Sequence, residues 1–225
     1  MKNMDSKKLI TGTEIVISTA LFIFIAYSLY LRYFVGTESY LEFVREDGPV
    51  EYLTVFLLLF SSLVCFYRVF QYRKMKKPLW LLTWIVLAFL FFFAAGDEIS
   101  WGQRIFGIES GEFFQQHNKQ AETNIHNLVV KGHSLNTVIF SRLMFVVLII
   151  YFLFSRLMVW KIPLIRNLVN KFQIPLPKKQ HIIMMVVATL MILLIQLIRD
   201  SELHELSFAM IFFLIFLNPA RIDKD

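Results

Sequence analysis

Six apolar runs, each close to the length a helix needs to cross a bilayer, constrain this chain more than any other feature. They fall at Glu14–Phe34, Val50–Phe70, Leu79–Ala95, Leu135–Phe154, His181–Ile198 and Leu203–Leu217. A helix of about 20 apolar residues spans a hydrocarbon core. Each run is apolar on all sides rather than along one stripe, as a lipid-embedded helix is. The last run is short for a span and is expected to tilt little or to borrow neighbouring residues. Breaks occur at Gly48-Pro49, Lys77-Pro78, Pro163, Pro175, Pro177 and Asn218-Pro219. With 57% hydrophobic and 18% charged residues among 225, the chain carries more apolar surface than a soluble domain of its length. The sequence therefore predicts an all-α polytopic membrane helix bundle, a single integral membrane domain over residues 1–225.

Charge orients the bundle. The start of the chain carries Lys2, Lys7 and Lys8. The second connector carries Arg68, Arg73, Lys74, Lys76 and Lys77, and the fourth carries Arg156, Lys161, Arg166, Lys171, Lys178 and Lys179; Arg221 and Lys224 follow the last run. This puts 16 of 23 Lys and Arg on one side, the side expected to be cytoplasmic. The other side receives 13 of 17 acids and four of five histidines. Six helices with both termini inside satisfy every connector, and the expected location is the bacterial inner membrane. The net charge of +6 thus reflects orientation and not nucleic-acid binding. The first run is longer than a signal-peptide core and no small-x-small site follows it, so it is expected to remain as a helix. Cys65 alone makes no disulfide and no cysteine zinc site.

The outward side gathers three polar segments. The first is Arg45-Glu46-Asp47-Gly48-Pro49-Val50-Glu51, where a Gly-Pro turn leads into the second helix and Glu51 lies at its start. Either the helix dipole or a functional role accounts for this carboxylate. The second is the loop 96–134, which holds Asp97, Glu98, Glu122, His117, His126 and His133. Two adjacent carboxylates at a bilayer edge are costly unless paired, protonated or metal-bound. Arg104 is their nearest partner in sequence. The apolar side chains of Trp101, Ile105, Phe106, Ile108, Phe113 and Phe114 predict a re-entrant or interfacial hairpin. Within this loop Glu122 and His126 stand four apart; on a helix they would share a face and bind a metal such as zinc, or form an oriented base. The third is Arg199-Asp200-Ser201-Glu202-Leu203-His204-Glu205, in which Glu202 and Glu205 share a face at the start of the sixth helix.

These segments yield one expected site. Glu51, Asp97, Glu98, His126, His204 and Glu205 are its acid–base candidates, and Glu122, His126 and His204 its metal candidates. Arg104 and Arg142 would hold an anionic headgroup, with Asn124, Asn127 and Trp101 beside the substrate. Interfacial anchoring accounts equally for Trp101, as it does for Trp80 and Trp160. His133 reads as solvated, and His181 lies on the cytoplasmic side.

The stretches GDEISWGQRIFG and NKQAETNIHNL, with EDGPVEYLT before the second helix, resemble a pattern in bacterial multi-pass membrane proteins of unknown function. The resemblance covers about the middle third of the chain and implies no activity. CPBP-type intramembrane proteases pair an EExxxR helix with later histidine helices, whereas Asp97-Glu98 and Arg104 have a different spacing. The motifs and seven-helix layout of alkaline-ceramidase-like hydrolases are likewise unmatched. The expected function is a hydrolase or group transferase acting on a lipid or lipid-linked substrate. A proton- or ion-coupled transporter and a non-enzymatic assembly or sensor protein are the alternatives.

Overall fold

The computed structural model describes residues 2–75, 77–130, 133–135, 144–196 and 200–220. It is mainly helical. Three segments are long and apolar enough to cross a membrane: Lys8–Val35, Pro49–Met75 and Pro78–Glu98. A fourth joins Val146–Lys161 to Pro163–Phe172 across a 110° bend. These mark a membrane protein with three to four candidate spans by length and composition, fewer than the six expected.

Helix α1 (Lys2–Tyr30) loosens into one π-helical turn at Leu31–Val35, and the short α2 (Thr37–Phe43) follows Gly36. Helices α3 (Pro49–Tyr72) and α4 (Pro78–Glu98) form an antiparallel pair, each opened by a proline in its first turn, where the missing N–H costs nothing. After α4 come the short helices α5 (Gln103–Phe106) and α6 (Glu112–His117). A two-stranded ladder of β1 (Val129–Val130) and β2 (His133–Ser134) then pairs Val129 with Ser134 and Val130 with His133.

The fourth expected run is described only from Met144 onward within its helix, as α7 (Met144–Ile149), a π-helical turn at Ile150–Phe154, and α8 (Ser155–Lys161). Pro163 stops α8, because it cannot donate the next intrahelical hydrogen bond. It opens α9 (Pro163–Phe172), whose Leu164, Ile165, Leu168, Val169 and Phe172 lie along one side, opposite Arg166, Asn167, Asn170 and Lys171. That amphipathic pattern suits a helix lying in a membrane interface.

The last two helices differ from expectation in length and position. α10 (Lys179–Leu193) has 15 residues, about 22 Å of helix, and stops short of Ile198. Leu194 and Ile195 turn back to the carbonyls of Met191 and Ile192, and Gln196 is left-handed at φ 54°. α11 (Asp200–Leu217) has 18 residues, about 27 Å, and three acids in its first two turns. Short as it is, α11 is the centre of the bundle. Leu203, Leu206, Ala209, Met210, Ile211, Leu214 and Ile215 are all at most 2% exposed, and α11 packs against α1, α3 and α10. A helix walled by other helices presents little outer surface, so its acids can face the protein interior.

Candidate functional site: an acidic cavity at one end of the bundle

The loop between α4 and the β-ladder is folded around two carboxylates. Asp97 sits in the last turn of α4, where the helix dipole disfavours negative charge. Three donors offset this: Asp97 Oδ1 accepts from Ile125 N at 2.6 Å, and Oδ2 accepts from His126 N at 3.2 Å and His126 Nδ1 at 2.9 Å. An ionised carboxylate only accepts, so the hydrogen is on Nδ1. Burial alone would push the imidazole toward its neutral form. The Asp97 hydrogen bond, with the charges of Asp97, Glu98 and Glu122, outweighs it and raises the pKa of His126.

The second carboxylate is Glu122. It accepts from Ser100 Oγ at 2.6 Å, from Asn124 Nδ2 at 3.0 Å, and from Arg104 Nη1 at 3.0 Å. Arg104 also donates through Nη2 to Glu51 Oε1 at 2.7 Å. Its Nε lies 3.1 Å from Asp47 Oδ1, an ion-pair distance without hydrogen-bond alignment. Burial works against the charge of Arg104, but Glu122, Glu51 and Asp47 together hold it firmly protonated. Glu51, 4% exposed, closes its own helix start by accepting from Asp47 N at 2.8 Å. One guanidinium therefore ties the start of α3 to the loop after α4 through direct bonds to Glu51 and Glu122.

Backbone conformation allows this clasp. Ser100, Trp101 and Gly102 are all left-handed, at φ 47°, 55° and 77°, a costly run for two non-glycine residues. It folds the chain sharply back over α4. Trp101 lands on Gly96, where an added Cβ would stand 2.7 Å from the indole, and packs edge-on to Phe93 with ring centroids 5.2 Å apart.

A cavity of about 750 Å³ opens beside these groups. Its polar end is lined by Glu46, Glu51, Asp97, Glu98, Arg104, Gln120, His126, Asn127, Asp200, Glu202, His204 and Glu205, and its other walls by Leu148, Ile149, Phe152, Leu153, Met185, Val186, Leu190 and Phe208. Glu98, Glu202 and Glu205 present carboxylate oxygens within 4.8 Å of one another. Like charges this close repel unless a cation or a proton sits among them. Glu205 keeps much of its surface exposed, and that surface lines the cavity.

Several expectations fare differently here. The cavity brings together Glu51, Asp97, Glu98, His126, His204 and Glu205, with Arg104 and Asn127. It does not join Glu122 to His126 and His204 as a metal set. Residues 122–127 form turns, not a helix, so the four-residue spacing places no shared face, and Glu122 turns to Arg104 and Ser100. Among the described residues, the set with metal-binding proximity is Glu98, Glu202 and Glu205. Asn124, 1% exposed, braces the loop through Ser100 and Glu122 and is not among the cavity-lining side chains. Trp101 packs over Gly96 on the flank of α4, away from the cavity. Arg142 lies outside the described residues. Sequence reasoning missed Ser100, Gln103 and Asn118 as loop braces. Gln103 Oε1 accepts from Ser110 Oγ and Thr123 N, and Asn118 Nδ2 donates to Asn124; no spacing rule announces such long-range pairs.

A second polar cluster stands at the opposite, basic end. Glu14 Oε1 accepts from Lys178 Nζ at 2.8 Å and Asn218 Nδ2 at 3.0 Å, and fully buried His181 places Nε2 4.0 Å away. It ties α1 to the start of α10 and the end of α11. The chain matches no protein-family model, no curated protein and no solved structure.

Proposed function

We propose that the protein is an enzyme of the bacterial inner membrane, a hydrolase or group transferase acting on a lipid or lipid-linked substrate at the extracytoplasmic face. The observation that carries this reading is the pairing of His126 with Asp97 at the polar end of a cavity whose other walls are apolar. A polar group and an oriented imidazole at one end, with room for a chain at the other, suit an amphiphile. The basic residues gathered at the far end support the orientation.

In the proposed reaction, Glu98 takes a proton from the attacking water or acceptor hydroxyl. The oxygen so released bonds to the electrophilic centre of the lipid. The bond to the leaving group breaks, and protonated His126 gives that group its proton. Arg104 acts indirectly, by keeping Glu51 and the loop in place. Lipid is the expected partner, and nothing in the site suits nucleic acid.

A second reading, a proton-coupled carrier, is favoured by the Glu14–Lys178–His181 cluster at the other end of the bundle, since carriers need titratable groups along their path. The discriminating test places purified protein in liposomes of bacterial lipid. New lipid species detected by mass spectrometry support the enzyme; a proton flux driven by added solute, with lipids unchanged, supports the carrier.

A further inference from the structure

We propose that α9 is a membrane-surface helix that takes anionic phospholipid, laying Leu164 and Leu168 into the acyl boundary and bringing Lys161 and Lys171 to the lipid phosphates. This surface belongs to the basic end of the bundle and does not depend on the reaction proposed for the acidic cavity.

The fold fixes the direction of α9. It leaves the Val146–Lys161 segment at 110°, and hydrogen bonds hold the corner. Arg166 reaches back from α9, donating through Nε to Val159 O at 3.1 Å and through Nη2 to Trp160 O at 2.7 Å. These are carbonyls that the end of α8 leaves open. Trp80 of α4 holds the far end, its Nε1 donating to Asn170 O at 3.2 Å. Ten residues make about 15 Å of helix, about half the hydrocarbon thickness of a bilayer. Too short to cross and pinned at both ends, α9 runs across the segment it follows.

The apolar side of α9 is wider than the protein covers. Ile165 and Val169 pack with Val159 and Leu176. Leu164 and Leu168, on the adjoining strip, remain 68% and 43% exposed, and Trp160, just before them, 66%. Exposed lysines border this strip, Lys161 before it and Lys171 one turn beyond Leu168. Among the described residues, Lys178 pairs with Glu14 at this end, and Lys161 and Lys171 have no ion pair. From Met144 to Gln196 the chain carries six bases and no acid. The connector before α4 adds Lys77, its Nζ 3.7 Å from the centroid of the Trp80 ring that holds α9. Apolar side chains bordered by cations complement acyl chains under phosphates, since lysine stems lie along apolar surface and lift their ammonium to the headgroups. A neutral leaflet would accept the leucines and leave the lysines unmatched.

The test reconstitutes the full chain in liposomes of equal parts phosphatidylglycerol and phosphatidylcholine, with bromine on the chains of one lipid or the other. Trp160 emission, taken as the difference between wild type and Trp160→Phe, reports which lipid lies beside α9. Phosphatidylglycerol is expected to associate there at least about fivefold more strongly, the equivalent of one lysine acting at the surface. The double variant K161Q/K171Q should bring the two lipids to within about twofold. Salt at about 1 M, which cuts the screening length to about 3 Å, should do the same to the wild type, and decides the matter if the variant does not fold. Equal quenching by both lipids overturns the proposal, as does a preference that survives both the substitutions and the salt. Quenching by neither lipid also overturns it and assigns the strip to a protein contact, a second copy or another chain.

Discussion

Arg104 Nη2 donates to Glu51 Oε1 at 2.7 Å, joining the loop after α4 to the first turn of α3. Glu51 and Glu122 are both largely shielded from solvent, and the same guanidinium serves both. Removing one partner of such a network leaves buried charge uncompensated. Arg104→Ala should therefore destabilise the protein by about 3–5 kcal/mol, read as a fall in thermal unfolding temperature in detergent. A triple replacement of Arg104, Glu51 and Glu122 by Met, Leu and Met should cost less than Arg104→Ala alone. If the single variant unfolds as the wild type does, the clasp is not a source of stability.

The His126–Asp97 pair has a pH signature. The imidazole's pKa is raised in the folded protein, so its protonated form is the stabilised one. That contribution is complete below the unfolded value of about 6.5 and is lost as pH rises through the higher folded value. Asp97→Asn removes the main opposing charge and hydrogen bond. Unfolding measured from pH 5 to 9 should show the wild type losing stability across the upper part of the range and Asp97→Asn showing a flatter profile there. Identical profiles would mean that the pair does not titrate as the geometry implies.

Gly96 has a packing role that a side chain would disrupt. Its missing Cβ makes way for the Trp101 indole. Gly96→Ala should displace that ring at a cost of about 1–3 kcal/mol, and Trp101 emission and quenching by brominated lipid should change with it. Unaltered quenching would place the ring elsewhere.

At the basic end, Glu14→Ala leaves Lys178 and Asn218 without their shared acceptor. A loss of about 1–3 kcal/mol is expected, with faster proteolysis in the 173–178 linker as the readout. A proton carrier would lose coupling in the same variant, whereas lipid turnover should survive at temperatures where the variant is folded.

Much of the fold is legible in the chain because bilayer thickness dictates run length: α3 and α4 lie within a few residues of where the apolar runs place them. Helix breaks at Pro49, Pro78 and Pro163 were equally readable, since proline's missing donor is a local fact. The short α10 was not, because its end depends on a left-handed Gln196 that no apolar count registers. In the site, Asp97, Glu98 and the i,i+3 pair Glu202/Glu205 stood out by residue type and place. Glu122/His126 misled, because a four-residue spacing means a shared face only on a helix, and Asp97 instead folds residues 125 and 126 around itself. The engagement of Arg104 was invisible for the same reason: its partners Asp47, Glu51 and Glu122 are distant in sequence.

We propose that His126, oriented by Asp97, works on a lipid in the acidic cavity. The most direct measurement compares wild type with His126→Gln, both reconstituted in bacterial lipid and matched for folding by thermal unfolding, and follows lipid products by mass spectrometry over time. Product is expected from the wild type, with a loss of at least about a hundredfold in rate for the variant. Equal rates in the two proteins, or no lipid product from either under conditions where both are folded, would contradict it.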